Sequence, residues 1–511
     1  MSGASEPAVW RIEAQDEADT REVAERIARL VGAGDLVTLS GDLGVGKTAF
    51  ARALIRSMTG EPDLDVPSPT FTLMQVYEGA DFPIVHADLY RIGNPSELTE
   101  LGWDEATESA LVLVEWAERA GGALPEERLD VRLTIPSNDG DRRVIELTGF
   151  GAFAARIARA KGVMEILRAA GWQDAQREFM LGDASTRAYE RLTKPDGGRA
   201  ILMISPPRPD GPPVRYGKPY SAIAKLAENI RPFVAIDRAL RAEGLSAPEI
   251  YAADLASGFA VLEDLGAEGV VDESGPIRDR YAEAAAALAR IHAQPRSDTI
   301  AMEDGSLYRI PPYDLDALLI EIELLSEWYA PHVAGAQLSS GQRATFVNLW
   351  RQTAIEIVNG PATWTLRDYH SPNLIWLPER EGIKRVGIID FQDCVMGHPA
   401  YDVVSLLQDA RVSVPDEMEL RLLGHYAQLR RADAADFDMA GFARAYAILG
   451  AQRATKILGI FARLDKRDRK PQYLAHLPRV TRYLRKNLAH PALAALREWH
   501  VANLPRTVED A

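Results

Sequence analysis

Eight residues near the start of the chain, Gly41-Asp42-Leu43-Gly44-Val45-Gly46-Lys47-Thr48, restrict the fold more than any other part of the sequence. They fit the pattern GxxxxGK[ST], which requires a buried strand before it and a helix after it. The apolar run Leu36 to Leu39 predicts that strand, and Ala49 to Met58 predicts that helix. Glycines let backbone amides surround phosphate oxygens, and the helix N-terminus adds a favourable dipole. The pattern therefore predicts a nucleotide-phosphate loop in an α/β domain.

The loop assigns a role to each of its polar and glycine positions. Lys47 is expected to reach the β- and γ-phosphates of ATP, and the Thr48 hydroxyl is expected to bind Mg²⁺. The positions expected to contact ATP through the backbone are Gly41, Gly44, Val45 and Gly46.

Two acidic residues follow buried-strand patterns in the same region. Glu115 comes directly after the apolar run Leu111 to Val114, and Asp88 comes after Ile84 to Ala87. The carboxyl ends of strands in α/β sheets are where ligand sites gather. The metal and the attacking water both need carboxylates, and these two acids are the candidates.

The rest of the first 150 residues alternates helix and strand patterns, as an α/β domain should. Asp19 to Val31 predicts a helix with one apolar stripe. Arg128 to Ile135 and Arg142 to Leu147 predict a hairpin, joined by Asn138-Asp139-Gly140.

Five segments in this part of the chain occur in a characteristic order: GDLGVGKT, SPTFTLMQVY (68–77), HADLYRI (86–92), EL..LGWDE (97–105) and LVEWAE (113–118). Over about residues 10–150 they resemble the bacterial tRNA threonylcarbamoyladenosine biosynthesis ATPase, the TsaE family. The resemblance implies an ATPase that works with the other subunits of the tRNA threonylcarbamoyl transferase complex. It also implies that tRNA is reached only through those partners, and that the domain alone hydrolyses ATP slowly.

The resemblance also carries residue roles. It implies that Asp88 orients the catalytic water and that Glu115 supports the magnesium ion. It places Thr70 and Thr72 in a segment that senses the γ-phosphate, and it places Trp116 near the nucleotide base.

Charge separates the front of the chain from the remainder. Residues 1–150 hold 13 Lys and Arg against 28 Asp and Glu, whereas the remainder holds 45 against 46. Such an abrupt change indicates two units of separate origin. An acidic unit repels a phosphate backbone, so we expect it to meet a basic protein surface; a well-solvated acidic face is the alternative.

A chain of 511 residues exceeds what one hydrophobic core normally serves. We predict an α/β P-loop NTPase domain over 1–155, followed by a bilobal α+β protein-kinase-like domain over 156–511. Its small lobe should span about 165–265, because Phe179 to Ile204 is β-rich, and its helical large lobe about 266–511. No run of 18 apolar residues and no signal-peptide pattern occurs, which predicts a cytoplasmic protein without membrane contact.

A second set of phosphate-chemistry residues lies in this rear domain. Asn373 follows Asp368 by five residues, and Asp390 ends the apolar run Ile388-Ile389. Kinases use this layout: one Asp near the acceptor hydroxyl, then an Asn and a second Asp on the metal. The spacing therefore predicts a magnesium-dependent phosphotransferase, with ATP as its donor.

The rear segments resemble the aminoglycoside phosphotransferase and choline kinase superfamily, and more closely its N-acetylmuramate/N-acetylglucosamine anomeric kinase branch. They are GDAS-R-Y-R (182–191), VLEDLG (261–266), LRDYHSPNL (366–374) and IIDFQDC-MGHPAYDVVSLLQDAR (388–411). The resemblance implies phosphorylation of the C1 hydroxyl of a small amino sugar during cell-wall recycling. Asp368 would be the base, Asn373 and Asp390 would hold magnesium, and Asp402 would brace the site.

Three upstream residues complete the predicted ATP site of the rear domain. Ser185 and Arg187 lie in a loop expected to cover the phosphates, and Glu263 lies in a segment expected to meet adenine between the lobes. The strand Ile201 to Ile204 lacks the lysine that usually pairs with phosphates, so Arg187 or Lys218 would replace it, or no residue does.

Two other functions remain open at this point. In one, the front domain is a non-catalytic, nucleotide-dependent assembly module. In the other, the rear domain phosphorylates choline or an aminoglycoside. Leu366, in place of the superfamily's usual histidine, weakens the case for aminoglycosides.

Overall fold

The computed structural model describes residues 6–94, 97–100, 103–136, 140–180, 187–207 and 211–508. The chain divides into two compact units, Met1–Glu165 and Ile166–Ala511. The division falls inside helix α5 (Ala152–Ala169), which the sequence analysis did not anticipate, and the boundary proposed after residue 155 lies in the same helix.

The first unit is built on a mixed seven-stranded sheet with the order β1-β7-β6-β2-β5-β4-β3. Strands β2, β4, β5 and β6 form its parallel centre, while β1, β3 and β7 pair antiparallel. The strands are β1 (Ala8–Ala14), β2 (Leu36–Ser40), β3 (Met74–Glu78), β4 (Pro83–Asp88), β5 (Leu111–Glu115), β6 (Leu129–Thr134) and β7 (Arg143–Gly149). The predicted strands and the β6–β7 hairpin are confirmed; the predicted turn residues Asn138 and Asp139 lie outside the described residues.

Helices cover this sheet. They are α1 (Glu17–Ala28), α2 (Lys47–Thr59), α3 (Glu97–Glu100), α4 (Trp103–Thr107) and α5. One apolar cluster joins Ile27 of α1, Phe50 of α2 and Phe153 of α5 to β2, and a second, containing Val85 and Val112, packs separately. Because the central strands are buried, their sequences are continuous apolar runs, which is why the sequence predicted them well.

The second unit begins with a five-stranded antiparallel sheet in the order β13-β14-β10-β9-β8. Its strands are β8 (Gln176–Met180), β9 (Ala188–Thr193), β10 (Arg199–Ile204), β13 (Ile250–Asp254) and β14 (Phe259–Glu263), with the small hairpin β11 (Pro213–Arg215) and β12 (Lys218–Pro219) between them. This sheet forms the small lobe that the sequence predicted.

The large lobe is mostly helical. The helices of the second unit are α6 (Tyr220–Ala224), α7 (Arg231–Ala242), α8 (Arg278–His292), α9 (Leu315–Leu324), α10 (Ser340–Val358), α11 (Ala400–Leu407), α12 (Asp416–Asp433), α13 (Met439–Lys466), α14 (Leu477–Leu488) and α15 (Ala494–Asn503). Residues of these helices and of the small-lobe sheet share one hydrophobic core. Within the described residues, no helix combines the length and apolarity needed to cross a membrane.

Short strand pairs in the large lobe hold the loops that carry the predicted catalytic residues. The strands are β15 (Val271–Asp272), β16 (Gly275–Pro276), β17 (Thr299–Ala301), β18 (Leu307–Arg309), β19 (Thr363–Thr365), β20 (Leu374–Trp376), β21 (Val386–Ile388) and β22 (Val395–Gly397). β19 pairs with β22 and β20 pairs with β21, both antiparallel. The loop after β19 and the segment after β21 are thereby brought together.

Candidate active sites

The phosphate loop of the first unit has a backbone that only glycine adopts without strain. Gly41 has φ of 134°, and a Cβ at this position would lie 2.3 Å from the Leu133 carbonyl oxygen. Gly46, which precedes the first residue of α2, has φ of 111°. Positive φ values of this kind favour glycine strongly, so the loop is shaped to present its amides at the N-terminus of α2.

Lys47 lies folded into this loop. Its Nζ donates to the carbonyl oxygens of Gly41 at 2.8 Å and Asp42 at 3.0 Å, and it lies 3.9 Å from the centre of the Trp116 ring. Burial lowers the pKa of the Lys47 ammonium, while the Glu115 carboxylate opposes that shift. The sequence analysis put Trp116 beside the base; the structure instead places its ring over the lysine expected at the phosphates.

Thr48 and Glu115 meet at the carboxyl edge of the sheet. The Thr48 hydroxyl donates to both oxygens of Glu115, at 2.9 and 3.1 Å. His86 Nε2 lies 3.0 Å from Glu115 Oε1, and both side chains are buried. A hydroxyl and a carboxylate at this spacing are oxygen donors suited to Mg²⁺, and the histidine fixes the orientation of the carboxylate.

Asp88 is the neighbour of Glu115 across the β4–β5 pair. Its Oδ2 accepts from Ser68 at 2.8 Å and from Thr70 at 2.7 Å, and its Oδ1 accepts from the Tyr90 amide at 2.9 Å. The side chain is thus held rigidly beside the phosphate loop, with Thr70 in contact, as a group that positions a water molecule must be.

Thr72 differs from Thr70. Its side chain is exposed and has no hydrogen bond to any residue that the structure describes, so the structure does not bring it into this cluster. The predicted role of Thr72 at the γ-phosphate therefore gains no support from the geometry.

Two residues of this site were missed by the sequence analysis. His86 is a polar residue inside the buried strand β4, and that mismatch was an available signal. Arg143 on β7 donates through Nε to the Val45 carbonyl oxygen at 2.7 Å. The two residues are 98 positions apart in the sequence. No local pattern marks such a long-range contact.

The catalytic loop of the second unit is held from beneath by Asp402, which is fully buried in α11. Asp402 accepts from the backbone amides of Leu366 at 2.7 Å and Arg367 at 2.8 Å. Arg367 has φ of 69°, an uncommon backbone that the surrounding hydrogen bonds must stabilise. Asp402 thus fixes the start of the loop that carries Asp368, as the bracing role predicted for it requires.

Asn373 and Asp390 lie together, next to Asp368. Asn373 Nδ2 donates to the Asp368 carbonyl oxygen at 2.9 Å and lies 3.4 Å from Asp390 Oδ2. Asp390 has φ of 60°, and its Oδ1 accepts from Gln392 at 2.8 Å and from Arg187 at 3.1 Å. The spacing of Asp-x4-Asn and a later Asp therefore does produce one cluster.

Arg187 is the cation that reaches this cluster from the small lobe. Its Nη1 donates a hydrogen bond to Asp390, which lies 203 residues further along the sequence. Lys218, the other proposed substitute for the missing strand lysine, lies exposed in β12. Ser185, the remaining predicted phosphate contact, falls outside the described residues.

Glu263 lies at the end of β14 beside a pocket of about 220 Å³. Its carboxylate accepts from Arg380 at 2.5 Å and from the Glu249 amide at 3.1 Å, and its own amide donates to the Glu249 carbonyl oxygen at 2.8 Å. The carboxylate and the amide are both engaged within the protein. The pocket is also lined by Asp264 and Leu265, so it lies at the segment that the sequence analysis expected to meet adenine.

Buried charges surround Asp368. Burial alone would raise the pKa of the Asp368 carboxyl, but positive charge lowers it below its ordinary value; the contributing groups, in order, are Lys456, His370, Arg367 and Arg453. The carboxylate is therefore ionised at neutral pH, which is the form that accepts a proton.

Glu321 on α9 holds two of those cations in place. Lys456 Nζ lies 2.9 Å from Glu321 Oε1, and Arg367 forms a buried ion pair with the same oxygen. Tyr313 donates to Glu321 Oε2 at 2.5 Å and Gln452 donates at 3.0 Å. The sequence analysis missed Glu321 and Lys456, since they lie 135 positions apart on different helices.

Replacing Lys456 by Met tests this electrostatic arrangement. Without the ammonium the pKa of Asp368 rises. The acid limb of the pH–rate profile should therefore move to higher pH by about one unit or more, because a nearby opposite charge lowers a carboxyl pKa by about that amount. The measurement is kcat/KM for the phosphate acceptor against pH. Lys466→Met, at an exposed position on the same helix, is the control, and an unmoved acid limb in Lys456→Met would contradict the arrangement.

The donor atoms at both sites fit magnesium. Each site offers hard oxygen ligands, and Mg²⁺ typically takes only one or two carboxylates from the protein, with phosphates and water supplying the rest. The described residues contain no group of three His, Cys, Asp or Glu side chains that would hold a metal alone. The residues that would hold the ions are Thr48 and Glu115 in the first unit and Asn373 and Asp390 in the second.

The fold and the two sites define a P-loop NTPase unit followed by a kinase-like phosphotransferase unit. The family model described as threonylcarbamoyl adenosine biosynthesis protein TsaE matches residues 14–144, and that of the phosphotransferase enzyme family matches residues 177–440. The chain belongs to the TsaE family through its first unit and to the phosphotransferase enzyme family through its second.

Individual relatives divide in the same way. The N-acetylmuramate/N-acetylglucosamine kinase of Caulobacter vibrioides is 39% identical over 351 residues, which cover 66% of this chain and 95% of the relative. The kinase of the same name from Pseudomonas putida is 31% identical, covering 65% and 91%. The tRNA threonylcarbamoyladenosine biosynthesis protein TsaE of Rickettsia bellii is 40% identical over 132 residues, covering 26% of this chain and 90% of the relative.

Proposed function

We propose that this chain combines two ATP-dependent activities. The first unit is an ATPase that supports threonylcarbamoyl modification of adenosine in tRNA. The second unit is a kinase that phosphorylates the anomeric hydroxyl of N-acetylmuramate and N-acetylglucosamine. The kinase proposal is carried by one observation: Asn373 lies within hydrogen-bond range of both the Asp368 backbone and the Asp390 carboxylate, in a unit 39% identical to a kinase for these sugars.

In the second unit, Asp368 accepts the proton of the anomeric hydroxyl as that oxygen attacks the γ-phosphorus of ATP. Asn373 and Asp390 are the groups that hold magnesium, which when bound offsets the negative charge of the phosphates. Arg187 reaches the same place from the small lobe and pairs with the phosphates in the role usually taken by a lysine. Asp402 positions Asp368 by holding the backbone before it.

In the first unit, Lys47 and the loop amides bind the phosphates, with Thr48 and Glu115 as the magnesium ligands. Asp88, held by Ser68 and Thr70, orients the water that hydrolyses ATP. The threonylcarbamoyl transfer itself belongs to partner subunits, and tRNA is reached through them. Since tRNA and ATP are cytoplasmic, the proposal places the chain in the cytoplasm.

A comparison of acceptors tests the kinase proposal. With purified chain, ATP consumption should rise with N-acetylmuramate and N-acetylglucosamine, and not with choline or kanamycin. The reason is that the cations around Asp368, among them Lys456 and Arg367, would repel a positively charged acceptor. ADP release measured with each compound gives the answer. If the chain phosphorylates choline or kanamycin in preference to both sugars, the sugar-kinase assignment is wrong, and the alternative of a choline or aminoglycoside kinase is favoured.

A further inference from the structure

The far end of the catalytic loop in the second unit is held by a second buried carboxylate, that of Asp409. Asp409 lies two residues after the end of α11 and is only 1% exposed. Its Oδ2 accepts from the Ser371 amide at 2.9 Å and from the Ser371 hydroxyl at 2.5 Å, and its Oδ1 accepts from the Arg411 amide at 2.7 Å. Both oxygens therefore accept from protein donors, which offsets the cost of burying the charge.

Ser371 begins the short turn that carries Asn373 to the predicted magnesium site. This 3₁₀ turn spans Ser371–Asn373, and the Asn373 amide donates to the His370 carbonyl oxygen at 2.9 Å. The Asn373 side chain lies 3.4 Å from Asp390 Oδ2. Because the turn is a single 3₁₀ turn with little internal freedom, a movement of Ser371 would displace Asn373 as well.

Asp402 and Asp409 hold opposite ends of the same loop. Asp402 accepts from two amides that precede the base, Asp368, whereas Asp409 holds Ser371, which follows it. A loop held at both ends keeps its reacting groups in a fixed geometry, as phosphoryl transfer requires. The two carboxylates differ in what they fix: Asp402 is close in the loop to the base, and Asp409 is close to the metal ligand Asn373.

We propose that Asp409 is a positioning residue for magnesium binding in the phosphotransfer reaction, because through Ser371 it sets where Asn373 lies relative to Asp390. The inference rests on the proposed kinase function and deepens it. Groups that orient a metal ligand without touching the metal contribute about 10- to 100-fold to metal affinity. The proposal gives Asp409 no contact with the sugar, so a substitution there should change the magnesium requirement and not the affinity for the acceptor.

Asp409→Asn in the full-length chain is the main test. The asparagine side chain has one acceptor oxygen instead of two, and its NH₂ group faces a donor where the carboxylate accepted. We expect the free magnesium concentration for half-maximal N-acetylglucosamine phosphorylation to rise by about 10- to 100-fold. At saturating magnesium kcat should be largely recovered, and KM for N-acetylglucosamine should stay nearly unchanged.

Hydrogen exchange supplies a readout that needs neither ATP nor magnesium. The Ser371 amide, which donates to Asp409, should exchange faster in Asp409→Asn than in the unsubstituted chain. The Leu366 amide, which donates to Asp402, should keep its rate. Mass spectrometry of fragments that separate the two ends of the loop measures both rates.

A second variant and a matched control accompany this test. Ser371→Ala removes the hydroxyl bond to Asp409 and leaves the amide bond, so its magnesium requirement should rise less than that of Asp409→Asn. Asp433→Asn changes an exposed aspartate at the end of α12 and should alter neither the magnesium requirement nor the exchange rates. Partial unfolding cannot imitate the expected result, because a half-saturating concentration does not depend on how much of the protein is folded.

The outcomes separate the inference from the function on which it rests. A lower kcat with an unchanged magnesium requirement would give Asp409 only a structural role and would overturn the inference alone. Unchanged exchange of the Ser371 amide in Asp409→Asn would also overturn it, whichever acceptor the chain uses. If the unsubstituted chain phosphorylates neither sugar, the proposed function fails, and the exchange result still decides whether Asp409 holds the loop.

Discussion

Replacing Asp368 by Asn is expected to reduce amino-sugar phosphorylation by about 10²- to 10⁴-fold, the usual contribution of a positioned general base. The Asn side chain has nearly the same shape as that of Asp. Asn373 donates to the backbone carbonyl oxygen of residue 368 and not to its side chain, so the substitution should leave the loop structure unchanged. What is lost is the proton acceptor. The measurement is kcat for N-acetylglucosamine at saturating ATP, together with nucleotide affinity, which should change little.

A matched substitution and a clear contrary result accompany this prediction. Asp436→Asn changes an exposed aspartate of the same unit and should have full activity. If Asp368→Asn retained more than about a tenth of the rate, a loss of under 1.4 kcal/mol in transition-state stabilisation, Asp368 would not be the base. The assignment of Asn373 and Asp390 as magnesium ligands would then need a separate test.

The second large effect concerns Lys47. In a chain already carrying Asp368→Asn, where the sugar kinase is slowed but still binds nucleotide, Lys47→Ala is expected to lower ATP hydrolysis by at least about 100-fold and to leave one of the two nucleotide sites per chain empty. Lys47 is a charged donor to the phosphates, and losing two such hydrogen bonds costs roughly 3 kcal/mol. Fluorescent-nucleotide binding and phosphate release measure the two quantities.

Lys161→Ala, at a half-exposed position on α5, is the matched control and should bind nucleotide normally. In a chain with Asp368 intact, Lys47→Ala should leave phosphorylation of the sugar at its normal rate, because the kinase has its own site. Loss of partner docking without loss of a measurable ATPase would favour the assembly-module reading of the first unit. Two nucleotide molecules bound per chain in Lys47→Ala, as in the chain with Lys47 intact, would contradict the phosphate-loop assignment.

The burial of each element explains which strands the sequence predicted and which it missed. β2, β4 and β5 are continuous apolar runs because both faces of a parallel centre are buried, and each was predicted within about two residues, the usual uncertainty of element ends. In β1, exposed residues alternate with partly buried ones as far as the buried Ala14. Its sequence therefore has no continuous apolar run, and the strand was missed. The helix α5 was missed because its glycine-rich start was interpreted only as a break in the strand pattern.

Sequence alone determined the parts of each site that are close in the chain or lie at strand ends. The GxxxxGK[ST] loop and the set of Asp368, Asn373 and Asp390 were assigned from spacing, and Asp88 and Glu115 were assigned from their places at the ends of apolar strands. Short-range spacing suffices there because a strand, a turn and a helix N-terminus have nearly invariant geometry.

Only the tertiary structure decided the electrostatics around those residues. The ion pair of Glu321 with Lys456 joins two helices far apart in sequence. Charge energies depend on distance and burial, which differ for every packed position, and neither is encoded in local spacing. The motifs therefore predict what chemistry this chain performs, and packing decides which charges surround Asp368 and lower the pKa of its carboxyl.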